Sequence, residues 1–169
     1  MRRIGIYFLL GILVAGFLTS CLEGKDYDEP TWDEEQVNLK KYLNNLVAKG
    51  TDIDTTGLGV YYVTIDEGTG AYAKTGDTLT VGYAGYFIDG YIFDASAWHN
   101  QVDSTFTFVL GNPPLIKGWD DGMKIINKNA RAQLIIPSDL AYGSSGQGVI
   151  PPFQTLVFVV IMKDIKPSI

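Results

Sequence analysis

Residues 141–158 read Ala141-Tyr142-Gly143-Ser144-Ser145-Gly146-Gln147-Gly148-Val149-Ile150-Pro151-Pro152-Phe153-Gln154-Thr155-Leu156-Val157-Phe158. A Gly/Ser-rich loop closes on two apolar residues and a double proline, then feeds a hydrophobic run. Proline fixes its own φ and restricts the residue before it, so a loop ending this way has a defined shape. With Trp119 upstream, the stretch points to an aromatic pocket with a lid rather than a site built from acids, bases or metals.

Outward from this loop the chain reads as strands and turns. Leu156 to Met162 is a continuous apolar run, expected to be a central strand. Leu79, Val81, Tyr83, Gly85 and Phe87 occupy alternate positions, as do Phe106, Phe108 and Leu110, and Ala132, Leu134 and Ile136. Val60 to Ile65 is β-rich, with a turn at Glu67-Gly68-Thr69-Gly70, and Asp89-Gly90 is a hairpin signal. One short helix is expected at about Gly118 to Ile126, where Trp119, Met123 and Ile126 share a face. Several antiparallel strands and one packed helix make an α+β domain.

The N-terminus reads as a targeting segment. Arg2 and Arg3 precede Ile4 to Leu18, an apolar and glycine run too short for the roughly 20 residues a membrane-spanning helix needs. Leu18-Thr19-Ser20-Cys21 then places small residues before the only cysteine, in a pattern that resembles the lipobox of bacterial lipoproteins. Residues 1–20 are accordingly expected to be a lipoprotein signal peptide, with Cys21 lipidated and no internal disulfide possible. Removing Arg2 and Arg3 takes the formal charge from -6 to -8, counting side chains only. So acidic a chain has no basic patch for phosphates, and nucleic acid is not an expected partner.

Residues 21–56 are read as an acidic tether and an amphipathic helix. Glu23, Asp26, Asp28 and Glu29 face a single Lys25 in the tether. The helix is expected over Asp33 to Lys49, with Thr31 and Glu34 at capping-box spacing and Gly50 as a stop. Val37, Leu39, Tyr42, Leu43, Leu46 and Val47 form its apolar stripe, which favours docking on the main domain over dimerisation.

Conventional catalytic inventories are nearly empty. His99 is the only histidine, and in a polar insertion it reads as a solvated side chain rather than a metal ligand. Ser144 and Ser145 have no base nearby, and Gly143 to Gly148 lacks the lysine of a phosphate loop. Asp120-Asp121 reads as the start of a helix, where negative charge suits the dipole. No metal and no cofactor are expected. What remains is aromatic and aliphatic: Tyr83, Phe93, Phe106, Trp119, Tyr142, Ile150 and Phe158, with Asp94 beside Phe93.

Residues 57–169 resemble an FKBP-type peptidyl-prolyl cis-trans isomerase domain. The match is carried by Val81-Gly82-Tyr83-Ala84-Gly85, Phe93-Asp94-Ala95-Ser96, Phe106 to Gly111, Leu115-Ile116-Lys117-Gly118-Trp119-Asp120-Asp121-Gly122, Ile136 to Gly143, and Ile150-Pro151-Pro152 with Thr155 to Phe158. The resemblance implies an antiparallel sheet of five or six strands half-wrapped around the short helix, beside the N-terminal helix. It implies a proline pocket with Trp119 as floor and Tyr83, Phe93, Phe106 and Phe158 as walls. Leu115 and Ile116 would line the rim, with the Ile116 N–H as a donor. Tyr142 would offer its hydroxyl to a substrate carbonyl, Val149 and Ile150 would belong to the flap, and Asp94 would be the one carboxylate at the edge.

The implied activity is prolyl isomerisation in exported proteins, with proline-containing polypeptides as partners and macrolides as inhibitors. Localisation would be the cell envelope, lipid-anchored through Cys21 at the outer membrane, on its periplasmic or surface side, and the chain is expected to be a monomer. The alternative is a non-catalytic proline-peptide binding module or chaperone on the same fold. Three departures from the family pattern stand out. The insertion after Asp94 is longer than usual and has no arginine to pair with the acid, leaving Asp94 either oriented by another donor or freer. The flap is shortened at Gln147-Gly148. Pro113-Pro114 replaces a polar pair before Leu115.

Overall fold

The computed structural model describes residues 30–169. The N-terminal apolar run, Cys21 and the acidic tether up to Glu29 therefore lie outside the described residues. The first element is helix α1, Trp32–Ala48. Its start is set by a capping box: the Thr31 hydroxyl accepts the Glu34 N–H at 3.3 Å, and Glu34 Oε2 accepts the Thr31 N–H at 2.9 Å.

Among the described residues, nine strands follow α1 and flank two short helices. They are β1 (Asp54–Thr55), β2 (Tyr61–Asp66), β3 (Thr69–Tyr72), β4 (Thr78–Phe87), β5 (Ile92–Ala95), β6 (Phe106–Val109), β7 (Asn127–Lys128), β8 (Arg131–Ile136) and β9 (Leu156–Lys166). Helix α2 (Ser96–His99) lies between β5 and β6, and α3 (Lys117–Gly122) runs into a 3-10 turn at Met123–Ile125. The single helix expected at Gly118 to Ile126 is thus an α-turn tightened at its end. The expectation that only one helix interrupts the strands is corrected by α2, which folds part of the insertion after Asp94.

The main sheet is antiparallel, in the order β1-β2-β8-β9-β4-β5, with β6 also paired to β4. β5 and β6 share one flank of β4: β5 pairs with residues 84–86 and β6 with residues 78–81. Seven strands therefore fill six positions across the sheet. β9 is central as expected, and pairs along its length with β4 on one side and β8 on the other. Its continuous apolar run follows from burial on both faces, which removes the usual alternation.

On one face, Leu134, Ile136, Leu156, Phe158, Val160 and Met162 join Trp119, Met123 and Ile126 in the larger core. The sheet comes close to α3 because Gly118 lies over Ile136, and Gly122 lies over Leu134 one helical turn later. On the other face, Ile135 and Val157 meet Leu39, Tyr42, Leu43 and Leu46 of α1, with Tyr61, Tyr86 and Ile88 around them. The helix docks on the domain, as its stripe suggests. The stripe is narrower than its sequence, because Val37 and Val47 remain exposed.

Candidate functional site

Between α3 and the concave face of the sheet lies a cavity of about 360 Å³ lined by Tyr83, Asp94, Phe106, Leu115, Ile116, Trp119, Tyr142 and Phe158. A larger cleft, about 570 Å³, lies by the start of α1, where Asp33, Glu34, Glu35 and Asn38 share the wall with Val37 and Ile88, and Phe153 is the single aromatic side chain lining it. The smaller cavity has the chemistry of a site for an apolar ligand with a few fixed polar groups.

Five of the eight lining residues come from five different elements, and Leu115, Ile116 and Tyr142 come from loops. Tyr83 is on β4, Asp94 on β5, Phe106 on β6, Trp119 on α3 and Phe158 on β9. Trp119 is 4% exposed and forms the floor. Its ring meets Tyr83 and Phe158 edge-on, with centroids at 5.3 and 5.0 Å and both interplanar angles at 77°. Tyr83 meets Phe106 in the same way at 6.0 Å. Such edge-to-face contacts hold the rings at fixed angles.

Gly85 makes this packing possible. It pairs with Phe158 across one ladder and Asp94 across the other. A Cβ at Gly85 would stand 2.7 Å from Phe93 Cζ and 2.9 Å from Phe158 Cε1. The β4–β5 register shifts between Gly85 and Tyr86, with Phe93 as the extra residue. A bulge of this kind re-aims a side chain. Phe93 packs at 86° and 5.5 Å behind Phe158, and Asp94 reaches the cavity.

Asp94 is the most constrained polar group. Its Oδ2 accepts the Tyr83 hydroxyl at 2.7 Å, and its Oδ1 accepts the Ala95 N–H at 2.8 Å. His99 Nε2 lies 2.6 Å from the same Oδ1. Burial, then the hydrogen bond to Asp94 and its charge, push the Tyr83 phenol well above the usual tyrosine range. Tyr142 is also raised, by burial first and then by the charge of Asp94. Among the described residues its hydroxyl has no hydrogen-bond partner, nor does the Ile116 N–H. The Trp119 indole nitrogen is buried without one as well. The cavity thus combines apolar walls, one held carboxylate and donors with no protein acceptor.

The rim is held by Asp120, whose Oδ2 accepts the Leu115 N–H at 3.1 Å. Burial raises the Asp120 carboxyl above the usual range, against that hydrogen bond. Of the residues expected at the site, Tyr83, Asp94, Phe106, Leu115, Ile116, Trp119, Tyr142 and Phe158 converge on the cavity. Phe93 stands behind the wall. Val149 and Ile150 do not line it: Val149 is 71% exposed and Ile150 is 8% exposed, packed into the core. A tight turn causes this, with Gln147 and Ile150 exchanging backbone hydrogen bonds at 2.8 and 2.9 Å.

Two residues at the site were not legible as such. His99, expected to be merely solvated, holds Asp94, which resolves the missing arginine in favour of another donor. Ser96 is buried. Its hydroxyl accepts the Tyr83 N–H at 3.0 Å and donates to the Ser104 carbonyl at 2.6 Å, which fixes Tyr83 and closes the insertion. A small hydroxyl beside a strand end has no sequence signal for that work.

An antiparallel sheet half-wrapped around α3, with an aromatic cavity between them, defines an α+β fold with a site for an apolar ligand. A profile of FKBP-type peptidyl-prolyl cis-trans isomerases matches residues 70–163, and the chain belongs to that family. It is 39% identical over 135 residues to the FKBP-type peptidyl-prolyl cis-trans isomerase FkpA of Escherichia coli (strain K12), covering 80% of this chain and 48% of that protein. It is 44% identical over 111 residues to the peptidyl-prolyl cis-trans isomerase Fkbp12 of Drosophila melanogaster, covering 64% of this chain and all of that one. The crystal structure of FkpA from Escherichia coli superposes with a TM-score of 0.67 at 34% identity, covering 81% of this chain and 63% of that one. The chain spans about half the length of the FkpA relatives it matches.

Proposed function

We propose that this chain is a peptidyl-prolyl cis-trans isomerase that acts on proline-containing segments of exported proteins, by desolvation and hydrogen bonding without a covalent step. The observation that carries the reading is the cavity of about 360 Å³, in which Tyr83, Phe106, Trp119 and Phe158 form apolar walls while donors remain at its edge. Twisting an X–Pro bond breaks amide resonance against a barrier of roughly 20 kcal/mol. The twisted amide has a less polarised carbonyl and a more pyramidal nitrogen, so a water-poor cavity disfavours it less than the planar ground state. That is binding stronger in the transition state than in the substrate. A 10⁴-fold acceleration needs only about 5.5 kcal/mol.

In this scheme Trp119 and Phe158 seat the ring, the Tyr142 hydroxyl and Ile116 N–H receive substrate carbonyls, and Asp94 fixes Tyr83. FK506-type macrolides would occupy the same cavity. Lipidation of Cys21 would tether the domain to the cell envelope, acting as a monomer. Exchange of an X–Pro tetrapeptide tests the activity: a rate equal to buffer, with folded protein present, rejects it. Peptide-induced NMR shifts without acceleration would favour the non-catalytic binding module instead. For the anchor, Cys21→Ser should move the protein from the membrane to the soluble fraction.

A further inference from the structure

Glu35 lies in the first turn of α1, where an acid ordinarily faces water and the helix dipole, yet it is only 4% exposed. Its Oε1 accepts the Ser138 N–H and the Thr155 hydroxyl, both at 2.7 Å, and its Oε2 accepts the Ser138 hydroxyl at 2.5 Å. Among the described residues no lysine or arginine lies within ion-pair distance of it. Three donors therefore offset the burial of this carboxylate.

Those donors bracket the loop that carries Tyr142. The last rung of the β8–β9 ladder joins Ile136 to Leu156. Pro137 comes next and has no N–H with which to extend the ladder. The Glu35 carboxylate takes the place of the missing rung, holding Ser138 on one side and Thr155 on the other. From Ser138 the constraint passes to the cavity through the Ala141 N–H, which donates to the Ser138 carbonyl at 2.9 Å, and the next residue is Tyr142. Within the loop, Phe153 donates its N–H to the Gly143 carbonyl at 2.9 Å, linking its two limbs.

We infer that Glu35 is a positioning residue: a carboxylate delivered by the N-terminal helix that ties together the two ends of loop 139–154 and sets the location of Tyr142 at the cavity. The helix is then part of the working unit rather than a spacer. The kinetic consequence rests on the isomerase reading, but the structural consequence does not.

The test uses the full chain and four variants. Glu35→Ala removes all three acceptor bonds. Glu35→Gln keeps Oε1 for Ser138 N–H and Thr155, and its amide can donate to the Ser138 hydroxyl. Thr155→Val removes one donor at constant shape. Tyr42→Phe breaks only the 2.7 Å bond from Gln133 Nε2, a docking contact of the same helix outside the loop. Two readouts are taken: amide hydrogen exchange over residues 138–155 relative to β8 and β9, and kcat and KM for an X–Pro peptide. In Glu35→Ala, exchange in the loop should rise about tenfold with the sheet unchanged. Its kcat/KM should fall about fivefold, the scale expected when the one hydrogen bond that Tyr142 offers the substrate is lost. Glu35→Gln and Tyr42→Phe should stay within about twofold of wild type, with Thr155→Val between the extremes. Wild-type behaviour of Glu35→Ala overturns the inference, as does impairment of Glu35→Gln or Tyr42→Phe equal to that of Glu35→Ala. If Glu35→Ala does not fold, Thr155→Val decides, and wild-type loop exchange there is the overturning result. A wild-type chain without isomerase activity would count against the proposed function, while the exchange measurements would still decide the role of Glu35.

Discussion

His99 Nε2 lies 2.6 Å from Asp94 Oδ1, on the opposite side of the carboxylate from the Tyr83 hydroxyl. The acid at the cavity edge is thereby held from two strands and one helical turn. His99 can reach it because α2 starts at Ser96, whose hydroxyl accepts the Tyr83 N–H. The imidazole is 64% exposed, so water competes for it and its contribution is small. Replacing His99 by alanine should lower kcat/KM toward X–Pro peptides by about fivefold at most, the worth of one exposed side-chain hydrogen bond. Asp94→Asn should cost more, since it also changes the partner of the half-buried Tyr83. A peptide panel assayed at one pH checks the order of the two effects.

Tyr142 and Trp119 should separate binding from architecture. Tyr142→Phe removes one hydroxyl that has no partner within the described protein. It should lower kcat/KM by about fivefold, the worth of one hydrogen bond of about 1 kcal/mol, with little change in stability. Trp119→Ala removes the cavity floor and a core side chain together, so it should abolish most activity and cost about 3 to 5 kcal/mol of stability. Kinetics and urea unfolding on the same preparations distinguish the two patterns.

Gly85→Ala should destabilise the domain by about 1 to 3 kcal/mol, the usual range for overpacking a filled core. The added methyl would meet Phe93 and Phe158, both ring-to-ring neighbours, rather than a flexible chain end. Because Phe158 also lines the cavity, the peptide rate should fall with the denaturation midpoint.

Tyr83 and Asp77 give opposite pH responses. The Tyr83 phenol is raised in the folded state, so its contribution is complete below the unfolded value, near 10, and is lost as pH rises toward the folded value. Tyr83→Phe should remove that alkaline loss. Asp77 accepts the Ser168 N–H at 3.0 Å and the Lys74 N–H at 2.9 Å, and these bonds, in that order, hold its carboxyl below the usual carboxylate range. Its contribution is present above the unfolded value, near 4, and is lost as pH falls through the folded value. Asp77→Asn should flatten the acid limb, seen as the midpoint of thermal unfolding against pH.

Local order was legible wherever a contact spans few residues or a period repeats. Thr31 and Glu34 are three apart, and their capping box starts α1 within one residue of expectation. Leu79 and Val81 alternate because one face of β4 is buried. The apolar run of β9 marked a strand covered on both sides. Phe93 was harder, because a one-residue bulge changes which side chain reaches the cavity. Ile150 was expected in the flap, yet its turn with Gln147 sends it into the core.

The loop from Ala141 to Phe158, with Trp119, pointed to an aromatic pocket, and the alternating strands to an antiparallel sheet, since hydrophobic period and turn residues act over short separations; which aromatics belong to the pocket came from the family resemblance. The tertiary structure decided what holds that loop and the acid beside it. Ser138 and Thr155 meet Glu35 across 103 and 120 residues, and His99 meets Asp94 only because α2 folds the insertion back. A lone histidine and a first-turn glutamate carry no sequence mark of such partners. Their roles depend on burial and hydrogen-bond geometry, which exist only once the sheet has brought distant segments together.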